Sequence, residues 1–143
     1  MGVTPDEQLE LLTSCVRLRL EGRKVPESVR RELATVEDAL AGVIGPLVRK
    51  TVAARLLGVS VQALDRHVAA DRIQVEPIAP GANRAAIPRE TVVSIAYERL
   101  LHDCSLAAAI EHARVREQRT LEFRDLDELI RIGTHWARLV RER

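Results

Sequence analysis

Side chains that could bind a metal or act as a nucleophile are clustered in one short stretch of the chain. His102, Asp103 and Cys104 are adjacent, and His112 lies ten residues beyond His102. Their spacing matches no zinc motif, and a cysteine nucleophile would also need oxyanion donors and a third orienting group. His135 is best explained as a packing neighbour, and no phosphate-binding glycine loop or dinucleotide motif occurs. The sequence therefore predicts no metal site, no cofactor and no enzymatic activity.

A second group of polar side chains lies at the start of a short predicted helix that follows Ser60. Leu64 and Val68 are spaced by four residues, so they can share the buried face of this helix. The other side chains of its first turns would then be exposed to solvent. They are Val61, Gln62, Asp65 and Arg66. These side chains would meet the edges of the bases if the helix entered a major groove of DNA.

The segment 51–73 must position this set, and its pattern predicts two helices that meet at a tight corner. The small residues Ala53 and Ala54, together with Leu57, form the inner face of the first helix. Gly58 allows the chain to leave the helix because glycine tolerates a positive φ. Ser60 is suited to cap the second helix. The corner geometry is therefore encoded by residues that act locally.

The sequence around this corner resembles a known family. The segment TVAARLLGVS, a short helix, a spacer with Gly81 and Arg84, and IPRE at 87–90 are similar to the winged helix-turn-helix of excisionase and MerR-type DNA-binding proteins. The resemblance covers about residues 49–97. It implies a winged helix-turn-helix with a short β wing at 74–87. With the helical segments that caps and apolar spacing predict at 1–48 and 98–143, the expected fold is mostly α.

The resemblance also implies roles for individual residues. Gln62, Asp65 and Arg66 would face the major groove, where they could pair with adenine, cytosine N4 and guanine respectively. Arg84 on the wing would approach the minor groove or the backbone. The other implied DNA-binding residues are Thr51, Arg55 and Arg72, at positions suited to phosphate contacts, and Ser60 and Val61 at the helix start.

Three features depart from the family pattern. The predicted reading helix ends Val68-Ala69-Ala70-Asp71, with Asp71 where a left-handed glycine is usual, and aspartate tolerates that conformation better than most residues. The wing carries only Arg84, and Asp65 would repel phosphate unless it contacts a base or pairs with Arg66. Binding by one chain is therefore expected to be weak, so specific binding needs a dimer or arrayed sites.

Composition agrees with an intracellular helical protein. Of 143 residues, 46% are hydrophobic and only 2% aromatic, so a core must be built from aliphatic residues and alanine. Residues 49–90 hold seven basic and four acidic residues, whereas 1–48 hold six and eight, and 91–143 hold nine of each. A phosphate-binding surface is thus expected in 49–90. Two distant cysteines, no basic-then-apolar leader and no long apolar run predict a cytoplasmic protein with no membrane contact.

Residues 1–48 are predicted to form a helical hairpin. Thr4-Pro5-Asp6-Glu7 is a strong helix start, and this helix should end at Gly22. A second helix should begin at Pro26-Glu27, with an apolar stripe at Val29, Leu33, Val36, Leu40, Val43 and Leu47, interrupted at Gly45-Pro46. This stripe fits either packing against the first helix or a dimer interface.

Beyond IPRE, which should open a helix to about His102, two more helices are predicted. Ser105 would cap SLAAAIEHARVREQ, a short extended piece RTLEF would follow, and Asp125 would cap a last helix through Arg143. That last helix is apolar on more than one side, so it needs cover from several neighbours or from another chain.

The sequence thus predicts a non-enzymatic, sequence-specific binder of double-stranded DNA, a transcriptional regulator acting as a homodimer or multimer. Two alternatives stay open. One is an architectural, excisionase-like factor that bends DNA for recombination. The other is an antitoxin or interaction module whose C-terminal helices bind a protein partner.

Overall fold

The computed structural model describes residues 2–141 and contains six helices and a small three-stranded sheet among them. In chain order the elements are α1 Pro5–Gly22, α2 Glu27–Ile44, β1 Leu47–Arg49, α3 Lys50–Leu57, α4 Val61–Ala69, β2 Glu76–Pro77, β3 Ala85–Pro88, α5 Arg89–His102 and α6 Leu106–Arg141. The expectation of a mostly helical protein with a short β element is confirmed. Met1, Glu142 and Arg143 lie outside the described residues.

Helix α1 begins as the sequence predicts. Thr4 Oγ1 accepts a hydrogen bond from the backbone N–H of Glu7, and Glu7 Oε2 accepts one from the N–H of Thr4, both at 3.2 Å. This reciprocal capping satisfies two donors that the first helical turn leaves unpaired. Leu12 and Val16, four residues apart, then lie on the buried face of α1.

The hairpin of α1 and α2 also forms, but the apolar stripe of α2 divides between two environments. Leu33 and Leu40 are half-buried, whereas Val29, Val36 and Val43 are exposed. The interruption predicted at Gly45-Pro46 is confirmed, and Leu47 lies outside the helix, because Gly45 adopts a φ of +91° and Pro46 supplies no N–H donor. The chain then enters β1.

Arg19 ties the hairpin to α5. Its guanidinium contacts Glu37 of α2 and lies 2.7 Å from Glu90 of α5. Burial raises the pKa of Glu37 although Arg19 beside it favours the charged carboxylate. These two ion pairs connect α1, α2 and α5, so the hairpin packs directly against the rest of the protein.

The three strands form an antiparallel sheet in the order β1-β3-β2, with Val48 opposite Ile87 and Glu76 opposite Ala86. Strand β1 was not predicted from the sequence. Arg89 holds its start in place, because its N–H donates to Pro46 O at 2.9 Å and its Nη1 donates to Ala41 O and Gly45 O at 2.9 and 2.7 Å. The arginine of IPRE therefore closes the end of α2 against the sheet.

The C-terminal region differs most from the prediction. Ser105 does cap α6, with its Oγ accepting from Ala108 N–H at 3.2 Å. However, α6 runs without a break for 36 residues, so the extended piece at 119–123 and the helix start at Asp125 are wrong. No glycine or proline occurs between Leu106 and Ile132, and the hydroxyl of Thr120 donates to Arg116 O at 3.0 Å. Continuing a helix is more favourable than starting another one.

The buried core takes residues from α1 to the first two turns of α6. Its largest fully buried apolar side chains are Leu12, Val16, Val48, Val52, Leu64, Ile87, Val92 and Val93. Leu106, Ala109 and Ile110 complete it from α6, and every residue of α6 beyond Ala113 is exposed. No helix among residues 2–141 is long and apolar enough to cross a membrane.

The two thiols should differ sharply in reactivity. Cys15 is 1% exposed, and burial, followed by the nearby charge of Glu37, raises its pKa. Cys104 is only half-buried. Because the thiolate is the reacting form, a thiol reagent added to the folded protein should label Cys104 and leave Cys15 unmodified until urea is added. Mass spectrometry of the labelled peptides checks this, and rapid native labelling of Cys15 would contradict the packing of α1.

Candidate nucleic-acid interface

The corner between α3 and α4 has the local geometry that its residues predict. Gly58 ends α3 in the left-handed region, at a φ of +68°, and the N–H of Val59 donates to Ala54 O at 3.0 Å. Ser60 Oγ then accepts from the N–H of Ala63 at 3.1 Å and starts α4. Leu64 is completely buried beneath the corner. Its packing fixes the rotation of α4 about its own axis.

Because of this rotation, some of the predicted base-reading residues are exposed and others are half-buried. Ser60, Gln62 and Arg66 are exposed, whereas Val61 and Asp65 are half-buried. Gln62 and Arg66 are four residues apart, so they lie above one another on the same face of α4. The structure therefore presents a carboxamide and a guanidinium side by side, the two groups suited to adenine and guanine.

Asp65 has a partner that the sequence analysis did not identify. Its Oδ1 lies 2.9 Å from Lys50 Nζ at the start of α3, and not beside Arg66. The pair neutralises a carboxylate that would otherwise face phosphate. It also leaves the guanidinium of Arg66 unengaged by Asp65.

The residues expected to contact phosphate differ in whether another side chain of the protein already binds them. Thr51 is exposed at the start of α3. Arg55 forms an ion pair with Asp6 of α1, with 2.8 Å between Nη1 and Oδ1. Since both side chains are more than half exposed, this pair contributes at most about 1 kcal/mol and would yield readily to a phosphate.

Arg72 follows the turn that ends α4. Asp71 adopts a φ of +59°, so aspartate does take the left-handed position expected of it. Arg72 Nη1 then lies 3.1 Å from His67 Nδ1, which can accept its hydrogen bond in the neutral ring. Partial burial and the charge of Arg72 lower the pKa of His67 and favour that neutral form.

The hairpin of β2 and β3 lies close to the predicted 74–87 range. Beyond the paired strands, the N–H of Ile78 donates to Arg84 O at 3.0 Å, and Gly81 turns the loop at a φ of +76°. Arg84 is exposed at the end of this loop. Among residues 2–141, no salt bridge includes Arg66 or Arg84. Both guanidinium groups are thus available to an anion.

Sequence reasoning missed two basic residues next to this surface. Arg49 is exposed at the end of β1, in the position just before α3, and Lys50 pairs with Asp65. The excess of basic residues in 49–90 indicated a basic surface in this segment, but it did not indicate which residues lie next to α4. Only the pairing of β1 with β3 places Arg49 beside the strand that follows the hairpin loop.

Comparison with models of protein families, with curated proteins and with solved structures finds no match to this chain.

Proposed function

We propose that α3, α4 and the β2–β3 hairpin form a winged helix-turn-helix that binds double-stranded DNA, and that the protein is a transcriptional regulator acting as a homodimer. The observation that carries the proposal is the capped, rigidly packed α4 with Gln62 and Arg66 exposed on one face. Helices of this kind enter the major groove with their first turns toward the bases.

The contacts divide into base reading and phosphate binding. Gln62 and Arg66 read bases, while Thr51, Arg55, Arg72 and the hairpin residue Arg84 bind phosphate or the minor groove. Asp65 would have to give up Lys50 to accept from a cytosine, so we assign it to holding α4 against α3. Few unpaired cations remain on this surface, and the affinity of one chain is expected to be low.

The exposed part of α6 offers a way to join two such weak sites. A helix turns by about 100° per residue, and on that spacing the apolar residues beyond 120 occupy somewhat more than half of its circumference. They include Phe123, Leu126, Leu129, Ile130, Ile132, Trp136, Leu139 and Val140, each at least 42% exposed. A solitary helix with so wide an apolar surface requires cover.

The charge pattern of α6 favours a second copy of the same chain. Residues 122–128 contain four acidic side chains and one arginine, whereas residues 129–141 contain three arginines and no acidic side chain. Two copies packed antiparallel would place each acidic segment opposite a basic one. We therefore propose an antiparallel dimer through α6, which would hold two α4 helices at a fixed separation.

The DNA-binding proposal is tested by removing the two unpaired arginines. An Arg66→Ala, Arg84→Ala variant should bind a duplex selected by the wild type from a random library at least about fivefold more weakly, because a base contact alone contributes about 1–3 kcal/mol. The slope of log affinity against log salt should also fall by about 1 for the lost phosphate contact. Fluorescence anisotropy at several salt concentrations measures both.

The matched control removes the same charge elsewhere. Arg17 on α1 and Arg31 on α2 are exposed, so an Arg17→Ala, Arg31→Ala variant has the same net charge and should bind nearly as the wild type does. Equal loss in both variants would mean nonspecific attraction. Selection of no duplex by the wild type would rule out the proposed function.

A second function is favoured by the same exposed helix. Trp136 is 63% exposed, so the apolar residues of α6 could instead bind a different protein, as in an antitoxin. Light scattering separates the two: a folded monomer at high micromolar concentration would favour the heterologous partner, and a dimer favours self-association.

A further inference from the structure

Helices α5 and α6 bring together three side chains that could bind a metal, near the point where α6 leaves the core. Donor atoms of Glu98, His102 and His112 all lie within 4.8 Å of one another. Glu98 and His102 are four residues apart on α5, so they share a face of that helix. The chain reverses at Asp103, with a φ of +47°, and α6 returns along α5 with His112.

The carboxylate of Glu98 is the most unusual member of this cluster. Glu98 is only 1% exposed, and its Oε1 is held by the guanidinium of Arg116. Its Oε2 lies 3.1 Å from His102 Nε2, but that approach lacks the alignment of a hydrogen bond, and no other described residue donates to Oε2. A buried carboxylate oxygen without a donor is costly, and a cation placed there would remove the cost.

The two histidines can supply the remaining ligands. Their rings stack with 4.1 Å between centroids and an angle of 18° between planes. The side chain of His102 is 39% exposed and His112 is exposed, so both rings can turn out of the stack toward Glu98. Tetrahedral ligands at about 2.1 Å from a metal stand about 3.4 Å apart, so the donors need only small movements.

We propose that Glu98, His102 and His112 form a binding site for Zn²⁺ that links α5 to α6. Two imidazoles and one carboxylate are a ligand set suited to Zn²⁺ and similar divalent transition metals, and poorly suited to Mg²⁺. Arg116 is a positioning residue, since it holds Oε1 and leaves Oε2 to the metal. A fourth position is left open to water.

A metal at this site would affect the orientation of the exposed part of α6. His112 lies in the last segment of α6 that is next to the core, immediately before the helix becomes fully exposed. A metal bound to both helices would fix the direction in which α6 leaves the core. The site does not depend on DNA binding, and its test needs no DNA.

The test titrates Zn²⁺ into untagged protein that has been stripped with a chelator, using isothermal calorimetry. The wild type should bind one Zn²⁺ per chain and show no heat with Mg²⁺. His112→Ala should weaken Zn²⁺ binding by more than about 100-fold, because loss of even an indirect partner of a ligand costs about 10- to 100-fold. Nuclear magnetic resonance should show Zn²⁺ shifting the ring signals of His102 and His112.

Matched controls identify the ligands. His67→Ala and His135→Ala each remove a histidine outside the cluster and should keep the wild-type affinity. Cys104→Ser should also keep it, although the Cys104 Sγ lies 3.9 Å from Glu98 O. Circular dichroism verifies that His112→Ala, an exposed substitution, is folded.

Three results would overturn the proposal. Equal Zn²⁺ affinity in the wild type and folded His112→Ala would place the metal elsewhere, as would loss of binding in Cys104→Ser. Absence of any Zn²⁺ binding by the wild type would mean that the cluster is only a Glu98–His102–Arg116 ionic network.

Discussion

Replacing Leu126 and Ile130 with glutamate is expected to convert a dimer of this protein into a 16.0 kDa monomer. These side chains are 51% and 58% exposed in the single chain and lie one turn apart on the apolar surface of α6. Fully burying such a side chain contributes about 1.5–3 kcal/mol, so burying the exposed halves of four contributes about 3–6 kcal/mol. Their replacement by carboxylates should therefore weaken association by more than about a hundredfold.

Two measurements follow this change. Sedimentation equilibrium gives the mass, and the fluorescence of Trp136, the only tryptophan, should no longer shift to the blue as concentration rises. If two weak half-sites act together, loss of the dimer should also lower DNA affinity by about 10²- to 10⁴-fold.

The control adds the same number of carboxylates to the polar face of α6. On helical spacing, Thr120 and His135 lie opposite the apolar surface, so a Thr120→Glu, His135→Glu variant should remain dimeric. Dissociation of both variants would point to general charge repulsion. A monomeric wild type with an intact fold would contradict the dimer.

Leu64→Ala is expected to be the most damaging single substitution at the corner. Leu64 is completely buried where α4 packs on the core, and truncating such a leucine costs about 2–5 kcal/mol through lost burial and the cavity left behind. This is a large part of the 5–15 kcal/mol that typically stabilises a domain. Urea unfolding followed by circular dichroism should show a lower midpoint with little change in slope.

The comparison is Leu100→Ala on α5. Leu100 is 63% exposed, so the same deletion of atoms should change the free energy of unfolding by no more than about 0.5 kcal/mol. Equal effects at the two positions would contradict the burial of α4 against the core, and with it the fixed presentation of Gln62 and Arg66.

The corner shows why part of the candidate interface could be predicted from sequence. Gly58, Ser60 and Leu64 act through a left-handed turn, a cap and a buried contact, each within a few residues of its cause. The ion pairs could not be predicted in the same way. Asp65 lies 15 residues from Lys50, and Arg55 lies 49 residues from Asp6, so only the packing of helices determines these partners.

The proposed metal site was missed for a related reason. In the sequence Asp103 and Cys104 are the neighbours of His102, whereas in the fold Glu98 is the carboxylate beside His102 and His112. The four-residue spacing of Glu98 and His102 was visible in the sequence. What it could not show was the reversal at Asp103 that returns α6 along α5.

By itself, the sequence determined the mostly helical fold, the starts of α1, α4, α5 and α6, and the corner, because caps, turns and apolar spacing act over a few residues. The tertiary structure alone decided that Leu47, once Gly45 and Pro46 have ended α2, pairs with Pro88 in a strand. It also decided which cations remain unpaired and which histidines meet Glu98. These outcomes depend on contacts between distant segments. The continuation of α6 through Asp125 has a local cause instead, because extending a helix is more favourable than obeying a weak stop signal.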